Sequence, residues 1–160
     1  MRFFKKAKTK LYPLAACTSG SIVPMKNIED SVFRDGILGE CIGIEPESGV
    51  IVSPCDGIVT QVTETSHAIG IKTAFGGEIL IHAGIDTVQL LGEGFSPAVS
   101  EGEQVKAGQL ILTCDLEKIR EDGYKTTVIT AVTNSADFEK VEPVEAEHIH
   151  AGEKLLDVLV

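Results

Sequence analysis

The histidines carry most of the chemistry this sequence offers. His67 lies in Glu64-Thr65-Ser66-His67-Ala68-Ile69, and His82 follows in Ile81-His82-Ala83-Gly84-Ile85-Asp86-Thr87-Val88. The remaining two form His148-Ile149-His150. Two chemistries suit such residues. A neutral imidazole nitrogen ligates zinc, and the same nitrogen attacks an electrophile such as phosphorus. On the first reading, His82 and Asp86 are half of a zinc site and His148 and His150 complete it. On the second, His82 itself carries a transferred group.

The elements that must position these residues are strands. Short β-branched runs alternate with Gly, Pro, Asn and Asp turns. Strands are expected over 21–25, 41–45, 50–53, 57–63, 67–72, 78–83, 110–114, 126–132 and 155–159. One short helix is expected over 116–122, ended by Gly123. The two central histidines then sit on a hairpin around Lys72-Thr73-Ala74-Phe75-Gly76-Gly77. A turn centred on Ala74-Phe75 places His67 directly opposite His82, with Cβ atoms about 4.5–5.5 Å apart. A turn centred on Gly76-Gly77 parts them, and the residues leave both registers open. In the first register Ile69 and Leu80 flank the pair, and an apolar rim keeps both rings neutral. Ile79, Ile81, Ala83 and Ile85 would face the core, since side chains alternate along a strand.

Two internal echoes point to related halves. Val105-Lys106-Ala107-Gly108-Gln109-Leu110-Ile111-Leu112 matches Ile149-His150-Ala151-Gly152-Glu153-Lys154-Leu155-Leu156. Ala16-Cys17-Thr18-Ser19-Gly20-Ser21-Ile22-Val23 resembles Ser53-Pro54-Cys55-Asp56-Gly57-Ile58-Val59-Thr60.

Composition narrows the partners. The chain has 160 residues, 43% of them hydrophobic, which suits one all-β domain with a real core. Its net charge is -10. Residues 1–10 hold Arg2, Lys5, Lys6, Lys8 and Lys10 and no acid, so the rest carries 9 basic against 24 acidic residues, or -15. An acidic body argues against nucleic acid and suits a partner with a basic face. Cys17, Cys41, Cys55 and Cys114 have no zinc-ribbon spacing and read as reduced thiols of a cytoplasmic protein. Leu14-Ala15-Ala16-Cys17 resembles a lipoprotein signal, but the apolar stretch is short and Pro13 interrupts it. Residues 1–14 are therefore expected as a basic flexible tail, with Phe3 and Phe4 available to an anionic membrane surface, and residues 15–160 as a single domain.

Motif order separates the two chemistries. Zinc endopeptidases of the lysostaphin type place H-x-x-x-D ahead of an A-P-x-x-G-x-V strand, with H-x-H inside a later strand. Here Ser53-Pro54-Cys55-Asp56-Gly57-Ile58-Val59 precedes His82, and His148-Ile149-His150 runs into Ala151-Gly152, beside a turn. The order argues against a peptidase.

The run from Ser53 to Phe95 instead resembles the glucose-type IIA component (EIIA-Glc family) of the bacterial phosphoenolpyruvate-dependent sugar phosphotransferase system. The matching pieces are Ser53-Pro54-Cys55-Asp56-Gly57, Glu64 to Ala68, Ile81 to Val88 and Leu91-Gly92-Glu93-Gly94-Phe95. The resemblance extends upstream through Asn27 to Phe33 and downstream through Gly102 to Gly108. It implies a compact antiparallel β-sandwich of two related halves, and it favours facing histidines. It also implies a phosphocarrier, a phosphotransferase component that takes a phosphoryl group from HPr and passes it to the IIB domain of a sugar permease. His82 would be phosphorylated on Nε2, His67 would stabilise the phosphoryl group and Thr65 would orient a ring, with backbone amides near Asp86 helping to hold the anion. Asp30, Val32, Phe33 and Asp86 would contact partners. No cofactor is required, although His67 and His82 would share a zinc ion if a partner supplied a further ligand. Regulatory protein targets are a further expectation. Thr63, Ile69 and Ala83 stand where the family often carries aromatic residues.

Overall fold

The computed structural model describes residues 9–160. Its strands are β1 (Leu11–Ala15), β2 (Gly20–Val23), β3 (Glu40–Pro46), β4 (Val50–Val52), β5 (Gly57–Val62), β6 (Ala68–Lys72) and β7 (Glu78–Ala83). They continue with β8 (Phe95–Pro97), β9 (Gln104–Val105), β10 (Leu110–Cys114), β11 (Val128–Val132), β12 (Lys140–Pro143), β13 (His148–Ile149) and β14 (Lys154–Leu159). Two short helices, α1 (Ser31–Arg34) and α2 (Leu116–Glu121), accompany them. Every strand pairing is antiparallel.

An eight-stranded sheet in the order β13-β2-β3-β11-β7-β6-β5-β9 is flanked by two three-stranded sheets, β1-β14-β12 and β4-β10-β8. The fold is the expected all-β sandwich, and the two sequence echoes interlock within it. In one half Gly108 N donates to Ser53 O (2.9 Å) and Ser53 N to Gln109 O (2.8 Å). In the other, Gly152 N donates to Ala16 O (3.0 Å) and Ala16 N to Glu153 O (2.7 Å). Strand partners repeat as well, with Gly57 opposite Val105 and Gly20 opposite Ile149. Each echo is thus a strand–turn–strand unit clamped to its counterpart, one at each edge of the large sheet.

Alternation sorts the large sheet's residues between two apolar clusters. Ile42, Ile44, Ile69, Ile71, Ile79, Ile81, Ala83, Val128 and Val132 enter the main core. Cys41, Ile129 and Ala131 point the other way, into a smaller cluster with Ile28, Phe33 and Ile85. Residues 24–38, which include α1, lie over that outer face. The cysteines are free thiols, and Cys17, Cys41 and Cys55 are buried.

The expected tail boundary at residue 14 needs correction. Residues 11–15 are β1, paired with β14 from Leu11 opposite Leu159 to Leu14 opposite Leu156. Pro13 is tolerated because β1 is an edge strand, where a missing N–H leaves no ladder bond unmade. Tyr12 stacks on Phe75 with ring centroids 4.4 Å apart, which ties the strand to the body. Residues 1–8, with Phe3 and Phe4, lie outside the described residues. The expected helix is α2, capped by Asp115, whose carboxylate accepts from Lys118 N at 3.1 Å. No helix among the described residues is long and apolar enough to cross a membrane.

Candidate active site

His82 projects from the outer face of the large sheet, on the side away from Ile81 and Ala83. Its strand neighbours are Ala68 on β6 and Ile129 on β11. Phe33, delivered by α1, packs on the imidazole with centroids 4.9 Å apart and planes at 58°. His67 stands just before β6, where Ser66 adopts a left-handed backbone with φ of 58°. Its ring meets that of His82 edge-on, with centroids 4.8 Å apart and planes at 84°.

The two rings meet, but not by the register expected. Ala68 lies opposite His82, and Ile69 opposite Ile81. His67 instead aligns with Ala83, whose amide donates to the His67 carbonyl at 2.8 Å. The turn is a three-residue loop centred on Phe75. Thr73 N donates to Gly77 O at 2.9 Å, and Gly76 takes φ of 90°. An odd loop shifts the pairing by one residue from the turn centred on Ala74-Phe75. Ile69 is therefore in the main core rather than at the rim of the pair. The small Ala68 side chain and the left-handed turn at Ser66 bring the His67 ring across.

Each ring is anchored through Nδ1. His82 Nδ1 lies 2.8 Å from the Gly84 carbonyl, which can only accept, so Nδ1 carries the proton. The neutral ring then has its lone pair on Nε2. His67 Nδ1 lies 2.7 Å from the Thr65 hydroxyl and 3.4 Å from that of Thr63. A hydroxyl can donate or accept, so these contacts hold the His67 ring in place with either tautomer. Burial, then the neighbouring His67, push the His82 pKa down to about 4, against opposing pulls from the Gly84 carbonyl and the Asp30 and Asp86 carboxylates. Burial lowers His67 in the same direction.

Gly84 is built into this anchor. Its φ is 85°, and a Cβ there would sit 2.3 Å from Thr87 Cγ2 and 3.0 Å from the Lys125 carbonyl. Gly84 N donates to Thr127 O (2.8 Å), Ile85 N to Lys125 O (3.0 Å) and Thr87 Oγ1 to Ala83 O (2.6 Å). Together these hold the Gly84 carbonyl in place. Neither Gly84 nor Thr63 was identified as a site residue from sequence. A glycine two residues after a strand histidine is the signal that could have found the first.

Asp86 is exposed, with a left-handed backbone (φ of 59°). Asp30 caps α1, accepting from Val32 N at 2.9 Å. Val32 is 39% exposed, but Phe33 only 3%. The Phe33 ring packs within the smaller apolar cluster and forms a wall against His82.

The zinc-peptidase reading fails on geometry. β2, β3 and β11 separate β13 from β7, so His148 and His150 lie across the sheet from His82 and Asp86. Among the described residues no three His, Cys, Asp or Glu side chains gather as a metal centre.

The structure is thus a duplicated antiparallel sandwich with two abutting imidazoles on the outer face of its large sheet. Residues 12–138 match the family described as phosphoenolpyruvate-dependent sugar phosphotransferase system, EIIA 1. The chain is 41% identical over 136 residues to the PTS system glucose-specific EIIA component of Bacillus cereus, covering 85% of this chain and 82% of that protein. It is 39% identical over 140 residues to the PTS system beta-glucoside-specific EIIBCA component of Halalkalibacterium halodurans. That match covers 88% of this chain but only 22% of the longer relative. The glucose permease IIA from Mycoplasma capricolum superposes with a TM-score of 0.83 at 30% identity, covering 98% of this chain and 99% of that one. The chain belongs to the EIIA 1 family of the phosphoenolpyruvate-dependent sugar phosphotransferase system, and it is a phosphotransferase component.

Proposed function

We propose that His82 Nε2 accepts a phosphoryl group from phospho-HPr and passes it to the IIB domain of a glucose- or β-glucoside-type permease. The observation that carries this assignment is the His82 Nδ1 contact with the Gly84 carbonyl. A carbonyl can only accept, so the neutral ring keeps its lone pair on Nε2, the nitrogen that this proposal makes the nucleophile. In the loading step a bond forms between His82 Nε2 and phosphorus. The donor's N–P bond breaks, and its electron pair returns to the donor imidazole. Onward transfer repeats the exchange with the IIB nucleophile. Such chemistry depends on in-line positioning and charge stabilisation.

The other residues take supporting roles in this proposal. His67 donates from Nε2 to a phosphoryl oxygen, and Thr65 holds the His67 ring. Amides around Asp86 help cradle the anion. Asp30, Asp86 and the exposed Val32 meet a basic-faced partner, steered by the acidic body. The paired imidazoles supply half of a tetrahedral zinc shell, so zinc here requires ligands from a bound partner. A regulatory protein sensitive to the state of His82 would use the same face. The proposed setting is the cytoplasm, with the basic residues before Thr9 drawn to anionic lipid.

Incubation with enzyme I, HPr and labelled phosphoenolpyruvate tests the assignment. The protein should acquire an acid-labile, alkali-stable phosphate, and His82→Gln should acquire none. Undiminished labelling of His82→Gln overturns it.

A further inference from the structure

Thr63 stands at the base of the loop that carries His67, and the transfer steps leave its hydroxyl without a task. Resting on the carrier function proposed for His82, we propose that the Thr63 hydroxyl is a positioning group, which holds His67 within reach of the phosphoryl group on His82.

The ladder between β5 and β6 gives the reason. Val62 pairs with Ile69, so Thr63 follows opposite Ala68. Thr63 N donates to Ala68 O at 3.1 Å. A hydrogen-bonded antiparallel pair ordinarily returns that bond, from Ala68 N to Thr63 O. Here the Thr63 carbonyl is already taken by Ser66 N at 2.8 Å, which closes the turn where Ser66 adopts its left-handed backbone. The side chain stands in for the missing carbonyl, and Thr63 Oγ1 accepts from Ala68 N at 3.2 Å.

This substitution of side chain for backbone ties Thr63 to the histidine pair. Ala68 is buried and lies opposite His82, and a buried amide left without an acceptor is costly. The proton of the Thr63 hydroxyl has two acceptors in reach, Ala68 O at 3.3 Å and His67 Nδ1 at 3.4 Å. Thr65 contacts the same ring nitrogen at 2.7 Å. Thr65 thus grips the imidazole, while Thr63 holds the backbone that presents it. Without the Thr63 hydroxyl, the Thr63 carbonyl must turn back to Ala68 N, Ser66 N is released and the left-handed turn relaxes. The His67 ring then leaves its 4.8 Å contact with His82. Valine keeps the β-branched shape of threonine without the hydroxyl, and serine keeps the hydroxyl without the branch.

Thr63→Val and Thr63→Ser, measured beside wild type with enzyme I, HPr and a purified glucose-type IIB domain, test the proposal. At saturating IIB, Thr63→Val should pass its phosphoryl group on about fivefold more slowly, the effect of one lost hydrogen bond, with KM for IIB unchanged. Thr63→Ser should restore the wild-type rate. Imidazole 15N spectra should show the His67 resonances shifted in Thr63→Val and returned in Thr63→Ser. A loss of stability alone moves none of these readouts. Wild-type transfer by Thr63→Val, or equal slowing in Thr63→Ser, overturns the inference. Fast hydrogen exchange of the Ala68 amide in wild type overturns it too, and that measurement needs no variant to fold. Labelling of His82→Gln instead overturns the carrier function on which the inference rests.

Discussion

Substituting His82 by Gln should remove a specific part of the protein's acid sensitivity. His82 has an ordinary pKa of 6.5, lowered to about 4 in the fold. Between those values the unfolded chain binds the proton and the folded protein does not. Stability therefore falls as pH drops through 6.5 and stops falling on this account below about 4. Each tenfold change in proton affinity is worth about 1.4 kcal/mol. The fully expressed loss is about 3 kcal/mol, of which about 2 kcal/mol falls between pH 7 and pH 5. For a chain of this size that is a melting shift of roughly 4–8 °C. Urea unfolding of wild type and His82→Gln at both pH values measures the difference. His67 is lowered in the same direction and remains in both proteins, so the comparison isolates His82. If both proteins lose the same stability between pH 7 and pH 5, the His82 ring is not held neutral by burial, and the reasoning fails.

Three further outcomes follow from the site. His67→Gln should still be labelled by HPr but transfer poorly to the IIB domain, losing a charge-assisted hydrogen bond worth about 1.5–3 kcal/mol. Separate measurement of the two half-reactions checks this, and normal transfer by the variant would exclude the role given to His67. Gly84→Ala should cost roughly 1–2 kcal/mol for its left-handed backbone alone. The crowded Cβ would also displace Thr87 and the Gly84 carbonyl, so phosphorylation should slow along with a lower unfolding midpoint. Removing residues 1–8 should leave the labelling rate unchanged while reducing co-sedimentation with anionic vesicles.

The pair of histidines was legible because residue type, spacing and flanking motif all pointed to it. So was the duplication, since the units ending in Gly108 and Gly152 repeat in sequence and repeat their hydrogen bonds. The hairpin register was not legible. Whether the turn holds two residues or three depends on Gly76 taking a left-handed backbone, and an adjacent Gly77 offers the same freedom. β1 was hidden by Pro13, which signals an interruption unless the strand is known to lie at an edge. β9 and β13 are two residues long, too short for alternation to register. From sequence, Phe33 is expected only as an apolar neighbour of the acids Asp30 and Asp86. Only the packing of residues 24–38 over the sheet shows its ring against His82.

The division of the apolar residues into two clusters has a mechanical consequence. Among the described residues twenty-seven buried apolar residues form the main cluster, whereas six form the one that joins the cover bearing Phe33 and Asp30 to the sheet. Cooperative opening costs free energy in proportion to the contacts it breaks. The cover therefore belongs to a lighter foldon than the sheet beneath it. The His82 Nδ1 anchor at Gly84 sits on the heavier layer, whereas the Phe33 wall against its ring sits on the lighter one.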